Sequence, residues 1–244
     1  RITEVDGGFR LAGQKVWSSG AAAADYLLVL ARNAEDPDSR TSTTTVLVPT
    51  SAEGVTIRKI PKLGIRSLAS CEVFLDDVFV PDDLLIGERG KGFRQLLYTL
   101  NNERIITASS SLGVLDGVLE DAVAYVKDRE AFGRPIGQFQ ALQHKIADIT
   151  AWRAQSELLT FRAAWLETQG RPNGLEATLA HSVSAEYASQ AADIGIQLLG
   201  GMGYAMETDM QRYWRDSRLY RIAPITTEMA KNMIAESHGL PRSF

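Results

Sequence analysis

The chain has 244 residues, enough for one large domain or two modest ones, and 45% of them are hydrophobic. That composition excludes a disordered or low-complexity protein. Its 26 basic and 30 acidic residues leave a net charge of −4, which argues against a surface built to neutralise nucleic-acid phosphates but leaves a local anion site open. The single cysteine, Cys71, rules out an internal disulfide and a Cys-rich zinc site. His144, His181 and His238 lie far apart and show no ligand spacing. No apolar run approaches the roughly 18–20 residues that a spanning helix needs. A soluble, intracellular protein is the expectation. Its opening on Arg1 without an initiator Met suggests part of a longer polypeptide.

Residues 1–90 carry the periodicity of β structure. Strand-like runs cover Phe9 to Trp17, Tyr26 to Arg32, Thr44 to Pro49, Val55 to Ile60 and Cys71 to Leu75. Turn clusters at Ala34 to Asp38, Ser51 to Gly54 and Val80 to Asp83 separate them. Short strands at this spacing predict a small sandwich or barrel.

Residues 91–244 change to a helical period. Leu142, Ile146, Ile149 and Trp152 form one amphipathic stripe. Long helices are predicted over 94–127, 141–168, 174–200 and 208–236, with breaks at 133–137, 170–174 and 200–203. The resulting fold class is α+β: a small β-sandwich or barrel followed by an up-down four-helix bundle.

Four segments place unusual residues together. Trp17, Ser18 and Ser19 end a strand, where an indole could stack on a planar cofactor or simply fill a core. Arg129, Phe132 and Gly133 break a helix; they suit a forked contact to a pyrophosphate and an aromatic cover, or an ordinary solvated corner. Gln197 leads into Gly200, Gly201 and Gly203, which permit close approach to phosphate or cap a helix. Glu103 shares a helix face with Thr107, Ser110 and Val114. If that face is buried beside a ligand, desolvation raises the Glu103 pKa and makes it a general base. The plainer reading is a glutamate favoured by the helix dipole.

Taken in order, these segments resemble the acyl-CoA dehydrogenase family. The likeness runs through Gly8 to Trp17, Gly64 to Ser67, Val73 to Pro81, Gly87 to Phe93, Arg129 to Gly133, Phe139-Gln140, Gln197 to Gly203 and Arg215 to Arg218. It covers essentially the whole chain and implies a partial middle β domain and a C-terminal helical domain, with the family's N-terminal helical domain absent. It further implies FAD, with Trp17 and Ser19 at the flavin ring. Arg129, Phe132, Gln140, Gln197, Gly200 and Gly201 match contacts to the FAD of a neighbouring subunit, and Thr226 matches a contact to its diphosphate. Asn101 and Arg104 fall on the substrate side.

The implied reaction is α,β-dehydrogenation of an acyl-CoA thioester, with α-proton abstraction by a carboxylate and hydride transfer to flavin N5. The implied partners are further copies in a homotetramer, or a heteromer, and electron-transfer flavoprotein or a similar acceptor. A cytoplasmic location is expected, with the mitochondrial matrix left open. Most members carry the base near the C-terminus, where this chain has Pro224, which offers neither a carboxylate nor an N–H. A minority carry it in a Glu-Arg pair, which Glu103-Arg104 matches; Glu228 is the weaker candidate. Two other readings stand beside this one: a non-catalytic subunit of a heteromer, and a related flavin oxidase or monooxygenase.

Overall fold

The computed structural model describes residues 1–34 and 42–242. Apart from Ala34, the turn cluster expected at 34–38 lies outside the described residues. The chain divides into two compact units, Arg1–Thr99 and Leu100–Phe244.

In the first unit, β1 (Ile2–Val5), β2 (Gly8–Ser19), β6 (Ser70–Pro81) and β5 (Val55–Lys59) form an antiparallel sheet in the order β1-β2-β6-β5. A second sheet joins β3 (Tyr26–Arg32), β4 (Thr43–Pro49) and β7 (Leu85–Ile86). Alternate side chains of both sheets meet in one core, with Phe9, Leu11, Val73, Val78 and Val80 from the first and Val29, Val46 and Val48 from the second. This is the expected sandwich, and its strands fall on the β-branched and aliphatic runs.

Helix α1 (Gly92–Asp128) begins at the end of the first unit, and its length from Leu100 onward belongs to the second. A hairpin of β8 (Glu130–Ala131) and β9 (Arg134–Pro135) follows, then α2 (Gln140–Thr168), α3 (Gly174–Leu199), α4 (Gly201–Tyr204), α5 (Met210–Tyr220) and α6 (Thr227–Glu236). Helix α3 is central, packing against α2, α4, α5 and α6. Its buried residues include Ala177, Ala180, Ala185, Ala188, Ala191 and Ala192, whose small side chains allow close helix approach. The stripe read on α2 is correct: Ile149 is fully buried, and Leu142, Ile146 and Trp152 pack against the same core. No helix of the described residues is long and apolar enough to cross a membrane.

Two sequence expectations need correction. The helix predicted over 208–236 is two helices, α5 and α6. Pro224 cannot donate to a preceding turn, and Thr226 starts a new helix by accepting from Met229 N–H at 3.2 Å. The face of α1 carrying Glu103, Thr107, Ser110 and Val114 is not its buried one. Glu103 and Ser110 are exposed, while Arg104, Ala108, Ser111, Leu115, Val118 and Ala122 form the buried stripe one position round the helix. Small residues lie on both faces, so local composition did not distinguish them. The apolar residues further along α1 set its orientation.

Candidate functional site

In the first unit, the register of β2 against β6 slips between Lys15 and Ser18, inserting one extra residue. At this bulge Trp17 takes φ 64°, a left-handed conformation strained for a bulky residue, and stands 65% exposed. A core tryptophan would have been driven inward, so burial does not explain the strain. Ser19 is exposed two residues on, paired with Ser70, and Gly20 N–H donates to Ala69 at 2.8 Å. The end of β2 thus presents an indole and a hydroxyl together.

In the second unit, Arg129 and Gln197 line one cavity of about 520 Å³ with Gly200 and Gly201. Tyr125, Ile136, Leu198, Leu199 and Met202 complete its wall; four of these five lie in runs the sequence had marked, but it gave none of them a role. Gly200 adopts φ 60° and ψ −134°, a region essentially closed to residues with a side chain. Gly203 serves contact instead: a Cβ there would lie 2.6 Å from the Ile196 carbonyl oxygen. The two glycines turn the chain at the cavity edge for different reasons.

Phe132 occupies the hairpin tip at φ 55°, beside Gly133 at φ 78°, and is 94% exposed. Its ring meets Phe139 edge-on at 6.1 Å, and the Arg134 guanidinium lies 4.2 Å from the Phe139 ring centre. Neither Phe132 nor Gln140, the exposed first residue of α2, lines the cavity. A cavity with an arginine, an amide and open backbone fits an anionic group such as a phosphate.

Glu103 and Arg104 sit side by side on α1 but face different surroundings. Glu103 is exposed, whereas Arg104 is 6% exposed. The Arg104 Nη1–H donates to Asn101 Oδ1 at 3.0 Å, and Nη2 approaches Met233 Sδ at 3.7 Å. Asn101 Nδ2–H in turn donates to Asn173 Oδ1 at 3.1 Å, and Asn173 Nδ2–H to Glu167 Oε2 at 2.6 Å. Burial pulls the Arg104 pKa below its ordinary value, opposed by the negative charge of Glu103. The relay through Asn173 to Glu167 therefore orients a guanidinium whose charge is also favoured by the exposed carboxylate of Glu103.

At the corner between α5 and α6, Pro224 and Thr226 are exposed. Glu228 is exposed in the first turn of α6; its own backbone N–H, then the Thr226 hydroxyl, hold its carboxyl below the usual range. This is the environment of a helix-capping glutamate. Under the corner lies His181 of α3, fully buried, with Nε2 2.9 Å from the Tyr220 carbonyl oxygen and 3.3 Å from that of Ala223. The sequence had marked His181 only as a non-ligand. No group of His, Cys, Asp and Glu among the described residues could hold a metal ion.

Comparison with known proteins adds relatives to this geometry. Residues 1–78 match the acyl-CoA dehydrogenase middle-domain family model, and residues 90–239 match the C-terminal-domain model. The chain is 40% identical to benzylmalonyl-CoA dehydrogenase of Aromatoleum aromaticum over 96% of its own length and 62% of the relative's. It is 36% identical to the probable acyl-CoA dehydrogenase YngJ of Bacillus subtilis, over 91% of this chain and 59% of that one. The structure of butyryl-CoA dehydrogenase from Megasphaera elsdenii superposes with a TM-score of 0.94 at 29% identity, covering 98% of this chain and 63% of that one. The chain thus spans about three fifths of the length of the relatives it matches.

Proposed function

Because the chain belongs to the acyl-CoA dehydrogenase family, we propose that it serves flavin-dependent α,β-dehydrogenation of an acyl-CoA thioester. The observation that carries this reading is the cavity in which Arg129, Gln197, Gly200 and Gly201 converge. Arg129 offers a forked donor to a diphosphate, and Gly200 and Gly201 leave the backbone open to its oxygens. Trp17 and Ser19 suit the isoalloxazine ring of FAD, the exposed Phe132 suits contact with a cofactor shared between subunits, and Gln140 stands near it in sequence. Thr226 opens α6, whose N-terminal N–H groups favour phosphate oxygens. Bound FAD supplies the two-electron acceptor.

The chain's own chemistry centres on Glu103 as base, with Asn101 and Arg104 on the substrate side. Its carboxylate stands free to take the α proton, and an acyl group docking on this face excludes the water around it. Arg104, held by Asn101, steadies the negative charge before transfer. Pro224 offers no N–H to the thioester carbonyl, so polarisation falls to other donors. The proposed partners are further copies of the chain in a tetramer and an electron-transfer flavoprotein.

The test mixes the full-length protein, loaded with FAD, anaerobically with a panel of acyl-CoAs and follows bleaching of the long-wavelength flavin band. Bleaching by one thioester class is expected. Glu103→Gln should lose turnover, by about 10²-fold or more, while retaining FAD. Turnover surviving in that variant would overturn the base assignment. FAD binding without bleaching would shift weight to oxidase or monooxygenase chemistry, and failure to bind FAD to a non-catalytic subunit.

A further inference from the structure

We propose that His181 is a positioning residue for the acyl end of the site, replacing through its Nε2–H the backbone donor that Pro224 removes. In a helix continuing past Tyr220, the N–H of residue 224 would donate to the Tyr220 carbonyl. Pro224 has no N–H, and Tyr220 is the last residue of α5, so its carbonyl is one of the terminal acceptors a helix leaves open. His181 Nε2 fills that place at 2.9 Å and reaches the Ala223 carbonyl, one residue before the proline, at 3.3 Å. Both partners are acceptors, so Nε2 carries the proton and the tautomer is set. A single fully buried side chain on α3 therefore holds both carbonyls flanking the corner.

The surroundings make this staple specific. His181 Nδ1 is buried without a hydrogen-bond partner, so the ring's presence is explained by what Nε2 holds. Arg104 also keeps a buried Nε without a partner, and its charge bears on the imidazole. Arg221, in the same corner, approaches Glu186 of α3 at 2.8 Å between Nε and Oε2, close in distance but not aligned as a hydrogen bond. His181 Nε2, by contrast, is an aligned donor from α3 to this backbone. The corner carries Pro224, where most of the family has its base, and leads to Thr226. The helix it leads to, α6, meets Arg104 of the proposed substrate side, with Met233 Sδ 3.7 Å from Nη2, so the corner's placement bears on that side of the site.

The inference rests on the proposed dehydrogenation, and its test separates the two. In the full-length flavoprotein, His181→Leu should slow flavin reduction by saturating acyl-CoA about 10- to 100-fold, the scale of a small misplacement. FAD content should be unchanged and KM should stay within about twofold, since the acyl-binding groups remain. His181→Gln, whose amide nitrogen can reach the place of Nε2, should recover most of the rate. His181→Asn, whose amide stops short of both carbonyls, should not. Wild-type rates in His181→Leu, or equal rates in the Gln and Asn variants, would overturn the proposal. If His181→Leu does not fold, the contrast between Gln and Asn decides.

Should Glu103→Gln retain turnover, the base assignment fails while the ranking of the His181 variants still reads positioning. Should no acyl-CoA reduce the flavin, amide hydrogen exchange over 221–227 takes over. Exchange should be faster in His181→Asn than in His181→Gln, and equal exchange would overturn the staple itself.

Discussion

Trp17 and Phe132 carry backbone strain at the residue scale. Both are bulky, both hold positive φ, and both face outward, where burial repays nothing. The sequence shows the aromatic residues but not their dihedrals, which follow from a strand bulge and a two-residue hairpin turn. His181 is the reverse case: unremarkable in sequence, it is placed by packing beneath two carbonyls. Burial, the largest cause, and the charge of Arg104 lower its pKa from 6.5, against the raising effect of the Ala223 and Tyr220 carbonyls. The unfolded chain therefore binds a proton here at higher pH than the folded one, and stability rises with pH up to about 6.5 and falls as pH drops through the folded value. Urea midpoints of wild type should decline on acidification through this window more steeply than those of His181→Gln. Parallel curves would remove His181 as the cause.

At the scale of elements, α3 and the turn after it carry the arrangement. The run Gly200, Gly201, Met202, Gly203 was legible as a glycine cluster, but the separate role of each glycine was not. A Cβ at position 203 would press on the backbone of Ile196, which cannot swing aside, whereas a Cβ at 201 would meet nothing within 4 Å. Gly203→Ala should cost about 1–3 kcal/mol by overpacking. Gly201→Ala, at the first position of α4, should leave the urea midpoint nearly unchanged. Equal effects of the two substitutions would contradict the contact account. Helix α1 carries the matching lesson about faces. The Glu-Arg pair was readable, yet Arg104 rather than Glu103 turned out to occupy the buried stripe, because Leu115, Val118 and Ala122 further along the helix determine its rotation.

At the scale of the whole molecule, the proposed role of the cavity joining Arg129 to the glycine turn predicts that cofactor binding is coupled to stability. A ligand that binds only the folded state stabilises it by about 2.7 kcal/mol at 100 times its Kd. Added FAD should raise the Tm of the full-length protein by several degrees and that of Arg129→Ala by much less at the same concentration. An identical rise in both would show that the Arg129 cavity is not where FAD is held. The family and the β-then-α order were readable from short runs in the right succession, because strand alternation and helical stripes are local properties of the chain. So were the identities of Trp17, Arg129, Gln197 and the Glu-Arg pair. What only the tertiary structure decided were the strained backbone at Trp17 and Phe132, the split of the last helix at Pro224, the exposure of Glu103, and the pairing of His181 with Tyr220 across 39 residues. The bulge at Trp17 and the His181 contact depend on which distant segment packs alongside, which no local pattern encodes; the hairpin tip at Phe132 and the break at Pro224 have local causes whose outcome the structure made explicit.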